Sequence, residues 1–261
     1  MQLAANLSWM YRGLDWADRF EAAARDGFEG VEILLPYDEP AHWYASRLQA
    51  NGLKLTLLNT PVLAGVGKLG LAAIPGAENE FRRDLDRARA AAQATGCRRI
   101  HVMAGDVAGL NPSACRATLL RNLELALDLA VQDKIVLTLE ALNRSDMPGY
   151  FYHRPAQVLE ILQLFKSTQL RLQFDFYHCV REALDVQGEL QAAASWIGHV
   201  QIAGAAGRHE PDLSQDGLLD AVVSLPALGY DSWLGCEYEP LGVAAEGLRW
   251  CEPLRMRGVL A

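Results

Sequence analysis

The chain has no pair of cysteines spaced as CxxC, no long apolar run and no surplus of positive charge. Its five cysteines, Cys97, Cys115, Cys179, Cys236 and Cys251, are odd in number and widely spaced. Buried thiols in a reducing compartment are the simplest reading. No stretch approaches the ~20 apolar residues needed to span a bilayer, so a membrane partner is not expected. The first residues, Met1 to Trp16, lack a basic region followed by an apolar stretch. No secretory signal is expected there, and the predicted location is the cytoplasm. The net charge is -8. Folds that grip phosphate backbones carry a basic face, so nucleic acid is not an expected partner. The histidines show no zinc spacing, and neither a GxSxG elbow nor a Cys/His nucleophile pattern occurs.

A linker, a charge block or a low-complexity segment would mark a second domain, and none is present. One domain over residues 1–261 is expected. What the chain does have is alternation. Short apolar runs, often β-branched, take turns with longer amphipathic segments. The runs are Leu3–Leu7, Gly30–Leu34, Leu53–Leu58, Arg99–Met103, Ile135–Leu139, Leu170–Phe174, Ile197–Ile202 and Ser232–Cys236. Helices are predicted over Asp15–Asp26, Ala41–Asn51, Glu78–Thr95, Pro112–Gln132, Pro155–Phe165, Val186–Ser195 and Ala244–Arg255, with one more contained within Leu213–Leu228. Strict β–α alternation implies parallel strands joined by helical crossovers. A doubly wound sheet can be built this way, but eight units in ~250 residues favour an α/β fold closed as a single (β/α)8 TIM barrel.

In that fold the chemistry sits at the C-terminal ends of the strands. Glu140 follows the fifth apolar run, Asp175 the sixth and Glu237 the eighth, while Gln201 lies near the end of the seventh. Any one of them alone could be a helix N-cap or a solvated loop residue. In consecutive units they would converge on one mouth of the barrel. Three converging carboxylates repel unless a cation or a proton intervenes. Three carboxylates and an amide oxygen form an all-oxygen set, which suits a hard divalent cation such as Mg²⁺ or Mn²⁺ better than zinc.

Longer segments around these residues carry a resemblance. Glu140-Ala141-Leu142-Asn143, Gln173-Phe174-Asp175-Phe176-Tyr177-His178, Gly198-His199-Val200-Gln201-Ile202-Ala203 and Gly235-Cys236-Glu237-Tyr238 are similar to hydroxypyruvate isomerases, a family of xylose isomerase-like barrels. Ser8, Gly30-Val31-Glu32, Pro36-Tyr37-Asp38, Ile74-Pro75-Gly76 and Gly247-Leu248-Arg249-Trp250 extend the similarity nearly end to end. The resemblance implies that Glu140, Asp175, Gln201 and Glu237 hold a divalent metal. It implies that Glu140 and Glu237 are also the acid/base pair of an enediolate proton transfer, which interconverts hydroxypyruvate and tartronate semialdehyde. It places His178, Arg208 and Glu210 at a small 2-oxo or hydroxy sugar-acid substrate, with Arg208 suited to its carboxylate. His199, inside the seventh run, is expected to be structural, and His153 to lie at the surface.

Two loops depart from that family. Gly67-Lys68-Leu69-Gly70 stands where Gly-Glu-Arg-Gly is typical, Gly204 where an Asp is usual, and Asp212-Leu213-Ser214-Gln215 where a glycine-rich acidic stretch is expected. The run from Gly65 to Gly70 is formally GxGxxG, but Pro61 precedes it and Pro75 follows before any helix, so it is not read as a nucleotide site. The altered loops leave open a 2-oxotetronate isomerase or a ketose epimerase of the same barrels, and, from another class, a non-catalytic sugar-acid binding barrel. An endonuclease of the same superfamily would need a histidine-rich zinc cluster and a basic face. Nothing in the sequence specifies an oligomeric state.

Overall fold

Eight strands hydrogen-bond in chain order and the last returns to the first, closing a barrel. The computed structural model describes residues 1–62 and 69–261. The strands are β1 (Gln2–Asn6), β2 (Gly30–Glu32), β3 (Lys54–Asn59), β4 (Arg99–His101), β5 (Val136–Glu140), β6 (Leu170–Asp175), β7 (Ile197–Ile202) and β8 (Trp233–Cys236). The seam is made by β1 and β8, which run parallel with Leu3 opposite Leu234 and Ala5 opposite Cys236. The (β/α)8 architecture expected from alternation is the one observed.

Outside the strands lie α1 (Asp18–Arg25), α2 (Ala41–Ala50), α3 (Glu78–Thr95), α4 (Pro112–Asp133), α5 (Pro155–Phe165), α6 (Phe176–Arg181), α7 (Val186–Ala193), α8 (Leu218–Ser224), α9 (Ala244–Gly247) and α10 (Glu252–Met256). The longest of them show why these segments are helical. In α4, Asn111 caps the Ala114 N–H, Pro112 occupies the first turn, and Leu119, Leu123, Ala126, Leu127 and Ala130 form one buried stripe. In α3, Phe81, Leu85, Ala88 and Ala92 are the buried face, and Gly96 at φ 73° ends the helix in the left-handed region.

The helix expected within Leu213–Leu228 is α8, and ahead of it the Asp212 carboxylate takes hydrogen bonds from the Ser214 N–H, its hydroxyl and the Gln215 amide. Such side-chain capture offers the backbone an alternative to the helix. Two helices differ from expectation. The predicted Ala244–Arg255 helix is broken by a 3₁₀ turn over Leu248–Cys251, and Pro253 sits at the start of α10. A short helix, α6, was not anticipated. It starts directly after β6, with Asp175 as its N-cap accepting from the Tyr177 N–H at 2.8 Å.

The two faces of the strands have different chemistry. Leu137, Leu139, Leu172, Phe174, Val200 and Ile202 are buried against the helices. The alternate residues Thr138, Glu140, Gln173, Asp175, His199 and Gln201 are buried too, and they fill the barrel interior with polar groups. Aliphatic layers are the usual filling of such a barrel. Here the interior is given over to a hydrogen-bonded network that rises to the site.

Candidate active site

The network begins at Glu32 on β2. Its carboxylate accepts from the Asn6 amide at 3.0 Å, from the Gln201 amide at 2.8 Å and from His199 Nε2. This confirms His199 as a packed interior residue, 0% exposed. The bond to Glu32 has a consequence for Gln201. With its NH₂ turned to a carboxylate, the amide oxygen must face the other way, where it accepts from Gln173 Nε2 at 2.6 Å. Gln173 is oriented in turn, because its oxygen accepts from the Thr138 hydroxyl at 2.9 Å and its NH₂ also reaches Glu140 Oε2 at 3.0 Å. A chain of directed bonds thus links β2, β7, β6 and β5.

Above the network the strand ends converge as predicted. Glu140 and Gln173 are register partners, and so are Asp175 and Gln201. Glu140 Oε1 and Asp175 Oδ2 are buried and have no hydrogen-bond partner among the described residues. One donor atom each from Glu140, Asp175 and His178 lies within 4.8 Å of the others. Buried carboxylate oxygens without partners are costly unless a proton or a cation sits between them.

His178 has a defined tautomer. Its Nδ1 faces the Asn143 backbone N–H at 3.0 Å, and a backbone N–H can only donate. A neutral ring accepting at Nδ1 carries its proton on Nε2. Burial holds the ring well below its ordinary pKa, with the Arg208 cation as a second cause, so the neutral form is the relevant one. His178 therefore presents an N–H donor from 3.8 Å to Glu140 and 3.6 Å to Asp175. An N–H aimed this way suits donation to an oxygen better than coordination of a cation.

Arg208 supplies the cation of the site. It rises from the loop after β7 at φ 57°, a left-handed conformation for a residue other than glycine. Its guanidinium lies 4.4 Å from the Trp9 ring centroid and 4.6 Å from that of Tyr177. Nη2 stands 3.0 Å from Glu237 Oε1 and 3.9 Å from Asp175 Oδ2. Burial alone would lower its pKa, but the carboxylates of Glu237, Asp175 and Glu140 more than offset that and raise it.

The same burial moves the acids upward. Glu140 is held well above the usual carboxylate range by burial, with the charges of Glu237 and Asp175 adding to it. Asp175 is raised to about 6 and Glu237 to about 8, again by burial, with Arg208 pulling both back down. Asp175 and Glu237 are thus brought close to neutrality, and Glu140 is held above its ordinary range.

The cavity over these groups has a volume of about 120 Å³ and is lined by Glu140, His178, Arg208 and Glu237 among others. Gln201 lies just beneath it in the network. Glu210 is not brought to the cavity. Its carboxylate instead accepts from the Leu241 N–H at 3.2 and 3.3 Å, tying the loop after β7 to the loop after β8. The expected substrate contact from Glu210 is therefore corrected to a loop-fixing role. His153 is half-buried, its Nδ1 2.9 Å from the Leu142 carbonyl.

The departures from the family pattern have physical reasons where they can be followed. A Cβ on Gly204 would stand 2.5 Å from the Glu210 carbonyl oxygen, and the Gly204 N–H already donates to the His209 carbonyl at 2.8 Å. The loop that presents Arg208 folds back on itself too tightly there for a side chain. In the other loop, Gly65 to Lys68 lie outside the described residues, while Gly70 pairs with Ala104 and Leu69 lines the cavity.

Four residues to which the sequence alone assigned no site role also belong to the site. Glu32 and Gln173 orient its amides, and Asn59 and His101 line the cavity from the ends of β3 and β4. The strand-end rule that picked out Glu140 would have found His101, but the fourth strand was expected to run on to Met103, which put His101 in mid-strand.

Comparison with known proteins gives the same picture. A family model described as "Xylose isomerase-like TIM barrel" matches residues 20–254. A 2-oxo-tetronate isomerase of Cupriavidus necator is 42% identical, over 97% of this chain and 98% of that one. A hydroxypyruvate isomerase of Escherichia coli K12 is 35% identical, over 98% of this chain and 100% of that one. Among solved structures, one titled as an AP endonuclease, family 2, from Brucella melitensis superposes with a TM-score of 0.90 at 36% identity, covering 97% of this chain and 99% of that one.

Proposed function

The chain belongs to the xylose isomerase-like TIM barrel family and is an isomerase, and from that premise we propose that it shifts a carbonyl between neighbouring carbons of a small 2-oxo sugar acid. The observation that carries this reading is the convergence of Glu140 and Glu237, two buried acids with raised pKa, on one cavity with the Arg208 guanidinium.

The 2-oxo, 3-hydroxy acid becomes its 2-hydroxy, 3-oxo isomer. A proton leaves C3, a proton is added to C2, and the hydroxyl proton passes from O3 to O2, so nothing is gained or lost. The pair Glu140 and Glu237 supplies the base that takes the carbon-bound proton and the acid that returns one. Arg208 binds the substrate carboxylate, for which its planar fork is matched. His178 donates its Nε2 proton to a substrate oxygen, and that bond strengthens as negative charge develops in the enediolate.

Glu140, Asp175, Gln201 and Glu237 would hold a divalent cation, Mg²⁺ or Mn²⁺. The orphaned oxygens of Glu140 and Asp175 and the all-oxygen character of the set support that fit. When bound, such an ion supplies electrostatic stabilisation of the two substrate oxygens.

For the substrate, the 2-oxo-tetronate isomerases of C. necator and Pectobacterium atrosepticum, at 42% and 36% identity, favour a four-carbon 2-oxotetronate. Hydroxypyruvate is the second reading, supported by the 35% identical isomerase of E. coli. The test is deuterium incorporation from D₂O into both acids with Mg²⁺ or Mn²⁺, followed by NMR. Exchange at C2 or C3 is expected. Binding of the acids without exchange or turnover would instead support a non-catalytic barrel, and cleavage of abasic DNA would support a nuclease.

A further inference from the structure

Two polar side chains in the cavity have no role in the reading above. Asn59 ends β3 and His101 ends β4, and the two are register partners across that strand pair. Paired residues in a parallel ladder point to the same face, so both aim into the barrel mouth. Both line the cavity, at 7% and 1% exposure. Among the described residues, Asn59 Oδ1 and both ring nitrogens of His101 have no hydrogen-bond partner. Glu140 Oε2 lies 3.3 Å from Nδ1 of the ring without forming a hydrogen bond to it. A buried amide oxygen and a buried imidazole, both unpartnered and both facing one cavity, are costly to keep unless a ligand completes them.

Their position says which part of the ligand. In a closed barrel of eight strands, strands four apart face each other, so β3 and β4 stand across the mouth from β7 and β8. Arg208 and Glu237 belong to the β7–β8 side. A substrate whose carboxylate is held by Arg208 therefore extends its far end toward Asn59 and His101. Among the described residues, the wall around that end also carries Leu34, Leu69 and Met103, whose side chains are apolar.

Their chemistry says which group. Asn59 Oδ1 can only accept, and a neutral imidazole has one N–H to donate. A hydroxyl satisfies both at once, giving its proton to Asn59 and receiving one from His101. The geometry points to Asn59 and His101 as the pair that reads the substrate's terminal hydroxyl, the one on the carbon beyond the reacting pair. A four-carbon acid has such a hydroxyl at C4, and hydroxypyruvate has none. The pair is thus a specificity device for a chain longer than three carbons. This rests on the reading of Arg208 as the carboxylate site.

The experiment measures kcat and KM for 2-oxotetronate and hydroxypyruvate with the wild type, His101→Leu, His101→Gln and Asn59→Leu, with thermal unfolding as the check on folding. In His101→Leu and Asn59→Leu, KM for the four-carbon acid should rise roughly 10-fold, the loss of one or two hydrogen bonds. KM for hydroxypyruvate should change little. His101→Gln, which keeps an N–H donor, should recover part of the loss. If the wild type turns over both acids and the variants lower kcat/KM for both alike, the specificity role is overturned while the isomerase reading stands. If the wild type turns over neither, that reading falls and this inference falls with it. Should Asn59→Leu fail to fold, the His101 pair of variants decides.

Discussion

Arg208 Nη2 lies 3.0 Å from Glu237 Oε1, and its Nε donates to the Glu237 backbone carbonyl at 3.2 Å. One guanidinium therefore grips the acid at the end of β8 by side chain and by main chain, while Trp9 and Tyr177 hold its faces. That grip keeps the Arg208 fork at the cavity, where a substrate carboxylate can meet it.

Arg208→Lys should keep the charge and lose both the fork and the stacking between the rings. We expect kcat/KM to fall about 10- to 100-fold, chiefly through KM, with the fold intact. Steady-state kinetics with circular dichroism measures it. An unchanged KM would remove Arg208 from carboxylate binding.

Glu140→Gln keeps the shape and the hydrogen bond from Gln173 but removes the titrating carboxylate. Turnover should drop by about 10²- to 10⁴-fold, the usual worth of a positioned acid or base. The metal-free variant should be no less stable than the wild type, because a neutral amide replaces a buried acid whose ionised form is disfavoured by burial and by the charges of Glu237 and Asp175. Full activity would sink the proton-transfer role.

The buried acids predict how pH and metal act together. Burial raises Glu237 to about 8 and Asp175 to about 6, above their values in the unfolded chain. A raised carboxyl contributes its stability at low pH, where it is protonated in both states, and that contribution is lost as pH climbs through the folded value. The metal-free protein should therefore lose thermal stability from about pH 4 to about pH 8, with Asp175 contributing up to about pH 6 and Glu237 up to about pH 8. Mg²⁺ or Mn²⁺ should restore it most at the upper end, because binding requires the ionised form and releases protons. Thermal scans with EDTA and with each metal across that range check both statements. Metal stabilisation that grows as pH falls would contradict them.

Gly235→Ala tests the network below the site. A Cβ there would overlap the Glu32 carboxylate and stand 2.9 Å from Gln201 Cγ. Overpacking of this kind costs about 1–3 kcal/mol. The displaced Glu32 would also release the Gln201 amide from its fixed orientation, so metal affinity measured by calorimetry should weaken along with stability. A variant that loses stability but binds metal as before would show that Gln201 needs no such support.

The β–α alternation and the acids after the fifth, sixth and eighth apolar runs were legible along the chain, because both are local patterns of fixed period. The same residues that specify the strands also placed Glu140, Asp175, Gln201 and Glu237 at one end of the barrel. Tertiary structure alone decided the rest. His178 became a donor at Nε2 only because the Asn143 N–H from the loop after β5 meets its Nδ1. Gln201 turns its oxygen to Gln173 only because Glu32, far away in sequence, takes its NH₂. Glu210 turned to the Leu241 N–H, and Asn59 and His101 met in register across β3 and β4. Hydrogen-bond direction and cross-barrel neighbours are set by which strands close on one another, and no window along the sequence contains that information.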